Sequence, residues 1–115
     1  MCPYKNTDSK RFSLYNELIM EIQNEKYGAF YAQVQGRVQG VGFRYSALAE
    51  AKRLGLCGWV RNTEDGKVEV WAEGPPEKLA VFCGWLHRGP EYARVDSVIQ
   101  EAAKPIGYKN MGIKY

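Results

Sequence analysis

Glycines and an arginine stand together in the segment Gly36–Arg44, which reads G-R-V-Q-G-V-G-F-R. Glycine permits tight turns and lets backbone N–H groups approach a ligand closely. If a helix begins where this segment ends, its first N–H groups lack intrahelical partners and its dipole favours an anion. An arginine in that first turn adds a charged fork that can bind phosphate through two hydrogen bonds. The pattern is typical of a phosphate-binding loop, although a glycine-rich turn can also serve backbone geometry alone.

Arg44 has a second interpretation, as a surface cation paired with Glu50 or another carboxylate. Such pairs are common and contribute little to stability. The position argues against this, because the dipole disfavours a cation in the first turn of a helix unless an anion compensates. The placement of Arg44 therefore favours a bound anion.

Asn62 stands at the start of a turn that reads T-E-D-G, within the segment Gly58–Gly74. Asparagine at the start of a hairpin turn often bonds its own backbone. Composition and spacing alone favour the turn interpretation.

Hydrophobic periodicity predicts the elements that must position these residues. Phe30, Ala32 and Val34 alternate with polar residues, as in a half-buried strand, whereas the apolar residues after the loop recur at helical spacing. The predicted elements are a strand over 30–36, a helix over 43–54 that ends at Gly55, strands over 59–62 and 67–73 joined by the turn 63–66, a helix from Pro75-Pro76 to Gly89-Pro90, a strand over 94–101 and a short strand near Ile113.

The order β-α-β-β-α-β predicts an α+β protein of the ferredoxin-like class. This split β-α-β sandwich has an antiparallel sheet with two helices on one face. Its right-handed crossover makes the first and second strands parallel, with the third strand between them. Arg44 and Asn62 then converge at one edge of the sheet, roughly 9–10 Å apart at two strand spacings.

Two motifs occur in order along the chain: V-x-G-x-V-Q-G-V-x-F-R spans Val34–Arg44, and G-W-V-R-N-x-x-x-G-x-V-x-x-x-x-x-G spans Gly58–Gly74. Together they resemble the signatures of the acylphosphatase family. The resemblance covers about residues 30–115 and implies the same ferredoxin-like fold. It also implies an enzyme, an acylphosphatase, that hydrolyses a carboxyl-phosphate mixed anhydride to a carboxylate and inorganic phosphate, without a cofactor.

The resemblance also implies roles for individual residues. Arg44 and Asn62 would be catalytic: Arg44 binds the phosphoryl group with the loop N–H groups, and Asn62 orients the attacking water. The substrate's own phosphate would accept the proton of that water, and inorganic phosphate would act as product and inhibitor. The implied phosphate-binding residues are Gly36, Val38, Gln39, Gly40, Val41, Gly42, Phe43 and Arg44. The alternative is a catalytically silent phosphoanion-binding or regulatory module, against which an intact Arg44 and Asn62 argue.

Other chemistries find no candidate residues in the sequence. The single histidine, His87, falls near the end of the second predicted helix, and no metal-ligand cluster or serine, histidine and acid arrangement can be assembled. We therefore expect a metal-independent reaction without a covalent intermediate. The turn carboxylates Glu64 and Asp65 are explained by turn chemistry.

Composition limits the partners and the compartment. The net charge of +3 is too small to indicate a nucleic-acid-binding surface. The aromatic residues Tyr31, Tyr45, Trp59 and Trp71 do not stand in a strand motif of the R-G-F-G-F-V type. Three cysteines without a CxxC pair favour a reducing compartment. No long apolar stretch is present. We expect a monomeric, cytoplasmic protein with neither nucleic acid nor membrane as partner.

The length of 115 residues and the hydrophobic fraction of 45% fit one compact domain. The predicted boundary separates an N-terminal extension, residues 1–28, from an acylphosphatase-like domain, residues 29–115. Polar residues predict a mobile lead over 1–11, and Leu14, Leu18 and Ile22 predict a short helix over 12–25. Near the other end, Met111 stands where the family usually has phenylalanine.

Overall fold

The computed structural model describes residues 27–115, so the predicted mobile lead and the helix over 12–25 lie outside the described residues. The elements in chain order are β1 (Gly28–Arg37), α1 (Phe43–Arg53), β2 (Cys57–Asn62), β3 (Val68–Gly74), α2 (Pro76–Arg88), β4 (Arg94–Ala103) and β5 (Met111–Ile113). Every element predicted for this part of the chain is present, with bounds shifted by at most a few residues.

The sheet has the strand order β4-β1-β3-β2-β5. Both β1 and β2 pair antiparallel to β3, so the predicted parallel relation of β1 and β2 across β3 is confirmed. The fold is the predicted ferredoxin-like α+β class, but the sheet is mixed because β5 runs parallel to β2. After β4, the segment 104–110 crosses to the end of the sheet where β2 begins, and β5 must therefore run in the direction of β2.

The core lies between the sheet and the two helices. On β1, Phe30, Ala32 and Val34 are fully buried, as their alternation with polar residues predicts. Met111, the first residue of β5, is 5% exposed and belongs to the core. The other large contributions come from Val68 and Val70 of β3, Phe43 and Ala47 of α1, and Leu79, Phe82 and Leu86 of α2.

The opposite face of the sheet carries a buried carboxylate that was not predicted from the sequence. Glu73 of β3 is fully buried and accepts hydrogen bonds from the backbone N–H groups of Ile106, Gly107 and Tyr108 at 2.6, 3.0 and 3.0 Å. Trp71 Nε1 donates a fourth bond at 2.8 Å. Burial by itself would raise the pKa of Glu73, but these hydrogen bonds lower it below its ordinary value. The carboxylate therefore holds the crossing segment against the sheet.

Candidate active site

The loop between β1 and α1 leaves the start of the helix without a side-chain cap. Gly40 and Gly42 have φ angles of 76° and 77°, a left-handed conformation that glycine adopts without strain. Gly42 is the N-cap of α1, and the first turn contains no acidic residue. The first N–H groups of α1 therefore have no side-chain acceptor within the described part of the chain, and they are available to an anion.

A cavity of about 160 Å³ lies at this helix terminus. Drug-sized ligands generally occupy about 300–1,000 Å³, so this site suits a smaller group such as a phosphoryl group. Arg44 and Asn62 both line it, which is the convergence that the split crossover predicts. The complete lining is Val38, Gly40, Gly42, Phe43, Arg44, Tyr45 and Asn62.

Asn62 is the last residue of β2, and its Oδ1 atom is buried without a hydrogen-bond partner among the described residues. Thr63, and not Asn62, makes the hydrogen bonds that stabilise the turn. Thr63 N–H donates to the carbonyl oxygen of Lys67 at 2.9 Å, and Lys67 N–H donates to Thr63 Oγ1 at 3.0 Å. An unsatisfied buried acceptor costs about 1–3 kcal/mol, so an acceptor in this state is typical of a site that a ligand completes.

Arg44 forms no ion pair with any acidic residue of the described chain, and its predicted alternative partner is engaged elsewhere. Glu50 pairs with Arg53 at 2.5 Å. The guanidinium carbon of Arg44 lies 5.8 Å from the ring centre of Tyr45 and 5.5 Å from that of Tyr115. Cation–π attraction to these rings can orient the guanidinium without neutralising its charge. The positive charge at the helix start thus stays available to an anionic ligand.

The residues implied as phosphate-binding fall into three groups. Gly40, Gly42, Phe43, Arg44 and Val38 line the cavity, and the side chains of Val38 and Phe43 are buried in the core. Val41 packs against the core from a partly buried position and does not line the cavity. The remaining two, Gly36 and Gln39, have other structural contacts.

Gly36 lies at an irregularity in the pairing of β1 with β4, where the register shifts between Gln35 and Gly36. Its φ angle is 139°, and a Cβ atom there would lie 2.1 Å from the carbonyl oxygen of Arg94. Close approach of β4 therefore accounts for this glycine. Gln39 directs its side chain to the β2–β3 hairpin, where Nε2 donates to the carbonyl oxygens of Thr63 and Lys67, each at 2.8 Å.

The two tyrosines beside Arg44 were not predicted from the sequence to be site residues. Tyr45 follows the arginine directly, and that position in the first helical turn is the signal that could have found it. Tyr115 reaches the site because β5 runs beside β2, with Lys114 N–H donating to the carbonyl oxygen of Val60 at 2.9 Å. Since the direction of β5 was not predicted, nothing in the sequence placed Tyr115 near Arg44.

Of the two turn carboxylates, Asp65 is engaged within the turn, as the turn interpretation predicts. Asp65 accepts a hydrogen bond from Thr63 Oγ1, which lowers the pKa of Asp65, and it lies 3.4 Å from Lys67 Nζ.

His87 is in the last turn of α2, with Nε2 at 3.1 Å from Gln100 Oε1, and does not line the cavity. Within residues 27–115, no three His, Cys, Asp or Glu side chains are grouped to hold a metal ion. None of the helices in this part of the chain has the length and apolar character needed to cross a bilayer.

Comparisons with known proteins find acylphosphatases among the relatives of this chain. The family model described as Acylphosphatase matches residues 30–111. An acylphosphatase of Thermococcus kodakarensis is 46% identical over 83 residues, covering 72% of this chain and 91% of the relative. An acylphosphatase of Pseudomonas paraeruginosa is 60% identical over 72 residues, covering 63% of this chain and 79% of the relative. The crystal structure of acylphosphatase from Bacillus subtilis matches with a TM-score of 0.75 and 37% identity, covering 76% of this chain and 99% of that one.

Proposed function

The chain belongs to the acylphosphatase family and hydrolyses acyl phosphates, and we propose that Arg44, the glycine loop and Asn62 perform this reaction. The observation that carries the proposal is that Asn62, whose Oδ1 atom is buried without a hydrogen-bond partner among the described residues, lines the same cavity as Arg44. An amide side chain with an unpartnered acceptor among the described residues and a cationic side chain line the same small cavity. Those are the two groups that a water molecule and a phosphoryl group require.

Arg44 and the helix start bind the phosphoryl group in this mechanism. Its oxygens accept hydrogen bonds from the guanidinium and from N–H groups of the loop and the first turn of α1, which have no side-chain cap. These donors are fixed before the substrate arrives. They stabilise the charge that develops on the phosphoryl oxygens in the transition state, and such preorganised electrostatics is commonly the largest catalytic contribution.

Asn62 positions the nucleophile. Its Oδ1 atom accepts a hydrogen bond from the attacking water and holds the water oxygen facing the phosphorus atom. As the new O–P bond forms, the bond between phosphorus and the acyl oxygen breaks, and the carboxylate leaves with the electron pair. The water proton passes to a phosphoryl oxygen of the substrate. An activated anhydride needs no strong base, and positioning supplies much of the rate enhancement.

Other properties stand as predictions from the sequence. They are independence of a metal, a monomeric state, a cytoplasmic location, and the absence of nucleic acid and membrane as partners. Inorganic phosphate is proposed as both product and competitive inhibitor, because it presents the same oxygens to Arg44 and the loop.

The experiment is hydrolysis of benzoyl phosphate by Asn62→Ala, with Asn110→Ala as the matched control. Asn110 is exposed on the segment before β5 and does not line the cavity. We expect Asn62→Ala to lower kcat strongly and to leave inhibition by phosphate nearly unchanged, because the amide acts on the water and not on the bound anion.

The turn interpretation predicts the opposite balance for Asn62→Ala. Stability would fall by roughly 0.5–2 kcal/mol, by analogy with helix caps, while kcat stayed normal. That result would refute the role of Asn62. Phosphate binding without turnover by the unaltered protein would instead identify the catalytically silent module.

A further inference from the structure

The Gln39 side chain joins the phosphate loop to the hairpin that carries Asn62. Its Nε2 group donates to the carbonyl oxygens of Thr63 and Lys67, each at 2.8 Å. Gln39 is half-buried and does not line the cavity. Its side chain therefore acts on the protein and not on the ligand.

The two carbonyl acceptors lie on opposite arms of the same turn. Thr63 and Lys67 close that turn through the backbone hydrogen bond between them, at 2.9 Å. Because one amide group binds both arms, it fixes the tip of the hairpin relative to the loop. Within residues 27–115, no other hydrogen bond connects the loop over 38–42 with the turn over 62–67.

Asn62 directly precedes Thr63, so the position of its side chain depends on this connection. The loop that Gln39 belongs to contributes Gly40 and Gly42 to the cavity lining, and the hairpin contributes Asn62. Loss of the connection would let the two walls of the cavity shift relative to each other. A misplacement of about 1 Å far from the reacting atoms can cost about 100-fold in rate.

We infer that Gln39 is a positioning residue, whose side chain holds Asn62 in register with the phosphate loop so that the water is aligned with the phosphorus atom. This inference rests on the proposed function of Asn62. The side chain of Gln39 then has a role separate from phosphate binding. Gln39 can contribute to phosphate binding only through its backbone N–H group.

The experiment is a double-mutant cycle with Gln39→Met and Asn62→Ala, and Gln35→Met serves as the matched control. Gln35 is an exposed glutamine on β1 outside the cavity. Each variant is assayed with benzoyl phosphate, well below its own melting temperature. We expect Gln39→Met to lower kcat roughly 10–100-fold in the native background, with little change in phosphate inhibition. In the Asn62→Ala background the same substitution should have almost no effect on kcat, because the group it positions is already missing.

Several outcomes would overturn the inference. Equal losses of kcat in both backgrounds would show that Gln39 does not act through Asn62. A lower melting temperature with normal kcat, or variants that never fold, would show a purely structural role. If Asn62→Ala alone kept its kcat, the proposed function would fail first, and the single variant shows this independently of Gln39.

A second variant, Gln39→Glu, gives a readout within one folded protein. An ionised carboxylate cannot donate to the two carbonyl oxygens, whereas the protonated acid can donate one bond. We expect the ratio of its kcat to that of the unaltered enzyme, measured at the same pH, to rise as the pH falls through the pKa of the new carboxyl group. A ratio that stays constant with pH contradicts the positioning role.

Discussion

Glu73 on β3 accepts a 2.6 Å hydrogen bond from the backbone N–H of Ile106, although the two residues lie on separate parts of the chain. Gly107 and Tyr108 donate to the other carboxylate oxygen at 3.0 Å each. This contact fastens the segment that leads into β5. Tyr115, which follows β5, lies beside Arg44, so a carboxylate remote from the cavity fastens the segment that leads to this contact.

Replacement of Glu73 by glutamine should destabilise the protein by about 1.5–3 kcal/mol, the range for hydrogen bonds to charged groups. Glutamine keeps the size but has only one acceptor oxygen for three backbone donors. Urea unfolding measures the loss, and amide hydrogen exchange at Gly107 and Tyr108 should accelerate. Glu101→Gln, at an exposed position on β4, is the control and should stay within about 0.5 kcal/mol of the unaltered protein. Equal effects of the two substitutions would contradict the anchoring role.

The same carboxylate predicts a pH dependence of stability. Because the folded-state pKa of Glu73 is lowered, its contribution is complete above the unfolded pKa of about 4.3 and is lost as the pH falls through the folded value. The difference in unfolding free energy between the native protein and Glu73→Gln should therefore shrink below about pH 4. Burial would raise the pKa of Glu69, but hydrogen bonds from Tyr31 and Arg61 lower it. Glu69 and these two partners are present in both proteins, so the comparison isolates Glu73. A constant difference from pH 7 to pH 3 would contradict the assignment.

The fold was predictable because its elements depend on local periodicity and on glycines at turns. Gly55, for example, was predicted to end α1, and it has a φ angle of 73° just after the C-cap Leu54. The convergence of Arg44 and Asn62 followed from the handedness of the crossover. The bonds to Glu73 could not be predicted, because their donors are backbone N–H groups that any sequence supplies. The contact between Gln39 and the hairpin was missed for the same reason, since its acceptors are backbone carbonyl oxygens.

Removal of residues 1–26 should leave a folded and active enzyme. The first strand, β1, begins at Gly28, and the family model matches from residue 30 onward. All residues assigned to the site lie beyond that point. Circular dichroism melting and benzoyl phosphate hydrolysis measure the outcome, and removal of residues 1–33, which deletes much of β1, should prevent folding. A folded truncated protein without activity would show that the extension contributes to the site.

Inorganic phosphate should raise the melting temperature of the native protein, whereas chloride at matched ionic strength should do much less. A ligand that binds only the folded state stabilises it by mass action, by about 2.7 kcal/mol at 100 times its dissociation constant. Arg44→Ala provides the control, because it removes the cation while retaining the loop. If phosphate and chloride act alike on the native protein, the loop is not a selective phosphate site.

Arg44→Ala should abolish turnover and preserve the fold. The side chain is only partly buried at the start of α1 and contributes charge to the cavity instead of volume to the core. Removal of one neutral oxyanion donor typically costs about 10²–10³-fold in kcat, and we expect a larger loss for a cation that can bind two phosphoryl oxygens. The kcat of Arg44→Lys should lie between that of Arg44→Ala and that of the unaltered enzyme, because lysine keeps the charge and loses the planar fork.

The control for Arg44 is Arg53→Ala in the last turn of the same helix. Arg53 pairs with Glu50, has a side chain that is 63% exposed and lies outside the cavity, so its loss should leave hydrolysis close to normal. Steady-state kinetics with benzoyl phosphate and thermal melting of each variant provide the comparison. Near-normal hydrolysis by a folded Arg44→Ala protein would end the assignment of this residue to catalysis. The phosphoryl group would then have to be held by the N–H groups at the start of α1 alone.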